Sequence, residues 1–117
     1  MEEIRVLLVE DSRPTRDLLR SYLDRQEGIT VCGEACAGAQ GLALIETLSP
    51  DIVLLALALP VMSGLGLLRA LKERTGVRRP RVIVVSSLMA EPIVRTAAAL
   101  GADYFMPKPV NLAELGD

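Results

Sequence analysis

The stretch Asp51 to Gly64, DIVLLALALPVMSG, decides how this chain folds. Ile52 to Leu59 is an unbroken apolar run, stopped by Pro60 and followed by a Ser63-Gly64 turn. A strand with one wet face alternates apolar and polar residues. An unbroken run suits a central parallel strand covered by helices on both faces. Ligands in open α/β sheets gather at the carboxyl ends of such strands. The carboxyl end of this strand is therefore where chemistry is expected.

The same grammar repeats on either side. Ile4 to Val9 (IRVLLV) reads as a first strand, ending at Glu10-Asp11. Ser12 and Pro14 open a helix, since proline is tolerated in a first turn. Leu18, Leu19, Tyr22 and Leu23 repeat at helical spacing to about Gln26, with Gly28 as the stop. Ile29 to Cys32 reads as a second strand closed by Gly33. A helix from Ala39 to Leu48 follows, burying Leu42, Ile45 and Leu48 and broken by Ser49-Pro50.

The third strand spans Ile52 to Leu57. Gly64 to Arg74 reads as a helix with Leu65, Leu68 and Leu71 inward, weakened by about 1 kcal/mol at Gly66 relative to alanine. After a loop from Thr75 to Pro80, Arg81 to Val85 is the fourth strand. An alanine-rich helix from Glu91 to Leu100 ends at Gly101. Tyr104 to Met106 is the fifth strand, terminated by Pro107-Lys108-Pro109. Asn111 caps a last helix that reaches Asp117 before it can grow long, which implies a native chain that continues.

Five strand–helix units in alternation imply one α/β domain over residues 1–117, a doubly wound parallel sheet with right-handed crossovers. For five strands the expected order is 2-1-3-4-5, with its switch point between strands one and three. That order brings Glu10, Asp11 and Ala56 to one crevice. Ser86 ends the fourth strand beside it, and Lys108 follows the fifth.

Composition narrows the function. Half of the 117 residues are hydrophobic, but Phe and Tyr together number three and Trp is absent, so the core is aliphatic. The apolar runs, broken by Pro60 or by Ser86-Ser87, fall short of a membrane span, and the acidic start Met1-Glu2-Glu3 does not read as a signal peptide. Cys32 and Cys36 have no histidine to join them in a metal site, so they read as ordinary thiols in a reducing cytoplasm. A formal charge of −2 argues against direct nucleic-acid contact. The basic cluster Arg74, Arg78, Arg79, Arg81 reads as a solvated loop.

With the acidic pair Glu10-Asp11, the segment PDIVLLALALPVMSG, the VVSS segment and GADYFMPKP in order, the chain resembles the receiver domain of two-component response regulators, a flavodoxin-like fold, over essentially its whole length. The phrases VCGEACAG and LGADYFMPKPVNLAEL look most like those of sporulation-type transcriptional regulators. The resemblance implies an aspartate at the end of the third strand that takes a phosphoryl group from a histidine kinase or phosphotransfer protein, forming an acyl phosphate. It implies Mg²⁺ held by Glu10, Asp11 and the backbone carbonyl of Ala58. It implies Lys108 and Ser86 on the phosphoryl oxygens. Ser86 and Phe105 would then switch the face built by the fourth helix, fifth strand and fifth helix, a candidate homodimer surface. The resemblance also allows for a C-terminal output domain.

The main departure from the pattern is that the phosphoacceptor position holds Ala56; Gly66 and Pro107 are smaller departures that leave the site intact. A methyl group cannot accept phosphate, so Mg²⁺ binding is expected to be weak or absent. Asp51 cannot substitute, lying roughly 16 Å away along an extended strand and on its opposite face. Ser63 lies beyond the strand, in a loop. Two functions follow from this: a receiver in a phosphorelay silenced at Ala56, by engineering or naturally, or a degenerate receiver that binds partners independently of phosphorylation through a surface around Ala97, Ala98 and Ala99. An enzyme using an aspartate nucleophile lacks that nucleophile here. A nucleotide or flavin carrier lacks a glycine-rich cradle after the first strand.

Overall fold

The computed structural model describes residues 3–59, 62–74, 79–86 and 90–107. In chain order the elements are β1 (Ile4–Val9), α1 (Arg13–Asp24), β2 (Ile29–Ala35), α2 (Gly38–Leu48), β3 (Ile52–Ala56), α3 (Gly64–Glu73), β4 (Arg81–Ser86), α4 (Glu91–Ala99) and β5 (Tyr104–Pro107). All strand pairs are parallel, and the order is β2-β1-β3-β4-β5. The expected doubly wound sheet is therefore present. No helix among the described residues is long and apolar enough to cross a membrane. The last helix expected from Asn111 lies outside the described residues.

Strand alternation sorts the core onto two faces. Leu7, Val9, Val53, Leu55, Val82 and Val84 pack against Leu42 and Ile45 of α2, Leu67, Leu68 and Leu71 of α3, and Ala97 of α4. Val6, Leu8, Val31, Leu54, Val85 and Met106 pack against Leu19 and Leu23 of α1. Both faces being covered is why β3 needs no polar position.

Several expectations are corrected in detail. β2 does not close at Gly33 but runs on to Ala35, because the β1–β2 register slips by one residue: Val6 pairs with Val31, then Leu7 with Gly33. Gly33 is tolerated mid-strand because Leu7 and Leu48 pack over it; a Cβ there would lie 3.2 Å from Leu7 Cδ1 and 3.0 Å from Leu48 Cδ1. In α3 the inward residues are Leu67, Leu68 and Leu71, with Leu65 only partly buried. Leu18 of α1, expected inward, is 50 % exposed. Of the three alanines of α4, Ala97 is buried in the core while Ala98 and Ala99 are exposed.

Local bonds fix the ends of these elements. Ser12 caps α1 and Ser63 caps α3, each hydroxyl accepting an N–H one turn on. α2 ends on Ser49 in the left-handed region (φ 47°). The Arg5 guanidinium covers that end, donating to the carbonyls of Leu48 at 2.5 Å and Ser49 at 3.2 Å. α4 ends before Gly101 (φ 106°), where Lys72 and Arg79 donate to the carbonyls of Ala99 and Leu100, both at 2.9 Å.

Candidate functional site

The sheet order reverses between β1 and β3, and the site lies at that edge. Val9 pairs with Leu55, so Glu10 and Ala56 occupy successive places at the ends of neighbouring strands. Glu10 is 2 % exposed and Ala56 3 %, whereas Asp11 is exposed. On the other side, Ala56 pairs with Val85, and Ser86, 4 % exposed, follows as the last residue of β4, paired with Pro107. The structure thus brings Glu10, Asp11, Ala56 and Ser86 to one end of the sheet. Lys108, expected there, lies outside the described residues.

The loop after β3 is drawn tight against the strand end. Gly64 donates its N–H to the Leu57 carbonyl at 2.9 Å. A Cβ on Gly64 would sit 2.3 Å from the Ala56 carbonyl oxygen, so a side chain is excluded there. Ala58 is exposed at the start of this loop. Asp51 is engaged elsewhere: its Oδ2 accepts the Arg5 N–H at 2.9 Å, at the opposite end of β3. Phe105 is half-buried against the core, while the neighbouring Tyr104 is 63 % exposed.

Sequence reasoning missed a cationic clamp behind the acidic pair. Arg16 of α1 donates one guanidinium N–H to the Glu10 carbonyl at 2.8 Å and another to Glu34 Oε1 at 3.1 Å. Arg20, one turn on, pairs with the same carboxylate. Glu10 Oε2 in turn accepts the Ser12 N–H at 3.1 Å. An arginine on the first turns of a helix and a glutamate in a β-rich segment are visible in the sequence; their meeting is not. It depends on the slip in β2, which pairs Glu34 with Leu8 and so turns it toward α1.

Mg²⁺ is a hard cation that takes oxygen ligands in near-octahedral geometry. Its donor set here would be two adjacent carboxylates and a loop carbonyl, and position 56 contributes only a methyl group. Among the described residues, no group of three His, Cys, Asp or Glu side chains is placed to hold a metal. The set is one carboxylate short and does not fit a firmly held Mg²⁺. Nor do the cysteines offer a substitute nucleophile near Ala56. Cys32 is half-buried in β2, and burial pushes its thiol above the usual range.

Comparison with known proteins agrees with this fold. The response regulator receiver domain family matches residues 6–117, and the chain belongs to it. A protein-glutamate methylesterase/protein-glutamine glutaminase of Myxococcus xanthus is 43 % identical over 111 residues, covering 94 % of this chain and 31 % of that protein. A second, from Pyrococcus abyssi, is 36 % identical, with 98 % and 32 % covered. The chain thus spans about a third of the length of the curated relatives it matches. Among solved structures, the response regulator domain of Thermotoga maritima CheB superposes with a TM-score of 0.86 at 30 % identity, covering 98 % of this chain and 89 % of that one. CheY of Borrelia burgdorferi, solved with CheX, beryllofluoride and Mg²⁺, superposes at 0.89 with 28 % identity, covering 97 % and 84 %. The chain is a receiver domain of a response regulator in two-component signalling.

Proposed function

We propose that this receiver is silent: it keeps the crevice through which receivers take up a phosphoryl group but accepts none, because Ala56 stands where the nucleophile belongs. The observation that carries this reading is the buried methyl group of Ala56 at the end of β3, beside Glu10. Acyl phosphate formation needs a carboxylate oxygen to attack phosphorus, and a methyl group has no lone pair to offer. Glu10 is no replacement, since it is buried with its carboxylate turned back onto the Ser12 N–H.

The other site residues are then left without their task. Ser86 and Lys108 would contact phosphoryl oxygens, and Ser86 with Phe105 would relay the switch, if a phosphoryl group were present. Mg²⁺, which Glu10, Asp11 and the Ala58 carbonyl would share with an aspartate at 56, is held weakly or not at all. The partner remains a histidine kinase or phosphotransfer protein, met without phosphoryl uptake. The face of α4 and β5, with the helix expected after them, is the candidate homodimer surface.

Residues 1–117 act as one non-catalytic receiver in the cytoplasm, making no nucleic-acid contact of their own. The methylesterase activity of the relatives belongs to proteins about three times as long. An output of that kind, or a transcriptional one as the VCGEACAG phrase suggests, would be carried by another part of the protein.

The test is to incubate the chain and its Ala56→Asp variant with acetyl phosphate and Mg²⁺ and to read intact mass. The native chain is expected to gain nothing and the variant one phosphoryl group. A phosphorylated native chain overturns the proposal.

A further inference from the structure

We infer that Arg16 is the fixed cation that holds the acidic ledge of this crevice in place without a metal. The inference deepens the reading of the site as silent and rests on it. It starts from a donor set one carboxylate short for Mg²⁺ and from the cation that the chain carries beside it on its own first helix.

Arg16 sits one turn after the Ser12 cap, so its side chain reaches back over the start of α1 toward the end of β1. There it donates to the Glu10 carbonyl and to Glu34 Oε1 at once. Its side chain is 18 % exposed and that of Glu34 is 25 % exposed, so neither bond competes with bulk water as a surface pair does. A guanidinium presents several donors in a rigid plane and can satisfy two acceptors at a fixed angle. The three elements that meet are the end of β1, the first turns of α1 and the end of β2. All of them lie on the crevice side of the sheet's reversal point.

Two further features aim the clamp. The slip between Val31 and Gly33 pairs Glu34 with Leu8 rather than with Val9, which puts its carboxylate on the α1 face. Without the slip, Glu34 would face α2. Arg20 braces the same carboxylate from one turn further along α1. The Glu10 side chain is meanwhile closed onto the Ser12 N–H, so the ledge from Glu10 to Ser12 is bonded through both backbone and side chain. Arg16 touches no reacting atom; it acts through Glu10 and is a positioning residue.

The test follows backbone amides by NMR in the full chain, measuring hydrogen exchange at residues 10–12 in the parent, in Arg16→Gln and in Arg16→Lys. The Gln variant is expected to speed exchange at residues 10–12 by about tenfold or more while amides of β3 and β4 keep their protection. The Lys variant, which keeps the charge, is expected to retain most of the parent's protection. Millimolar Mg²⁺, against K⁺ at matched ionic strength, is expected to leave these amides unmoved in the parent.

A Gln variant that exchanges like the parent overturns the inference. So does a Lys variant as fast as Gln, which would reduce Arg16 to packing. So does a parent whose ledge shifts or gains protection with Mg²⁺, since a metal would then be doing the work. Should the Gln variant lose protection throughout the sheet, Glu34→Gln takes its place, with the same readings deciding. Phosphoryl uptake by the native chain would overturn the silent reading, whereas these outcomes overturn the clamp alone.

Discussion

At the scale of single residues, position 56 sets the electrostatics of the crevice. A carboxylate placed there would be buried beside that of Glu10, and burial and like charge both disfavour its ionised form. In chelator, Ala56→Asp is therefore expected to be less stable than the parent by roughly 1–3 kcal/mol. Paired thermal melts in chelator check this, and a variant that melts higher than the parent would refute it. The same variant should then gain stability as Mg²⁺ is added, whereas the parent stays flat. Glu10 and Ser86 were legible in the sequence because they stand where an apolar run stops; Ala56 lies inside its run (Ile52 to Leu59) and was singled out by the resemblance to receivers. The Arg16–Glu34 contact was not legible, since it depends on a one-residue slip between strands that no apolar pattern encodes.

At the scale of elements, two glycines of α3 separate close approach from mere propensity. Gly64 opens the helix against the strand end, where a Cβ would come 2.3 Å from the Ala56 carbonyl oxygen and 2.8 Å from Leu57 Cα. Both contacts are backbone and cannot turn aside. Gly64→Ala is expected to cost about 2 kcal/mol or more, on the scale of overpacking. Gly66 lies two residues on, and its nearest neighbour would be the flexible Met62 Cγ at 3.2 Å. There the helix propensity of alanine should prevail and stabilise by about 0.5–1 kcal/mol. Urea titrations of both variants check the opposite signs; two changes of the same sign would contradict the geometry. The sequence marked Gly66 as a weak point and Gly64 as a turn requirement, but only the fold shows the strand backbone pressing on Gly64.

A second device at this scale is repeated. Asp51, just before β3, accepts the Arg5 N–H at 2.9 Å, and Asp103, just before β5, accepts the Val82 N–H at 2.9 Å. Each carboxylate satisfies a backbone donor at the start of the neighbouring strand, which the ladder would otherwise leave open. Asp103→Ala is expected to cost about 1–3 kcal/mol, with Asp103→Asn, which keeps an acceptor oxygen, costing less than half as much. Equal losses in the two variants would show that charge rather than the hydrogen bond matters.

At the scale of the whole molecule, one sheet separates two cores. Among the described residues, the face toward α2, α3 and α4 buries more side chains than the face toward α1. Neither face can form alone, because β1, β3 and β4 contribute alternate residues to both. Leu7 and Val9 point one way, and Val6 and Leu8 the other. Losing packing on one face therefore frees the strands that build the other, and unfolding should be a single cooperative transition. Leu8→Ala removes a side chain from the α1 face and Leu67→Ala one from the α3 face; each parent leucine is fully buried. Each truncation is expected to cost about 2–5 kcal/mol by lost transfer energy and the cavity left behind. Far-UV circular dichroism should then fall in one step in both variants, coincident with the fluorescence of Tyr22 beside the α1 core and of Tyr104 on β5. A variant in which the α1 face melts ahead of the rest, so that the two tyrosines no longer report one transition, would show the faces to be separable and the sheet to be less shared than its alternation implies.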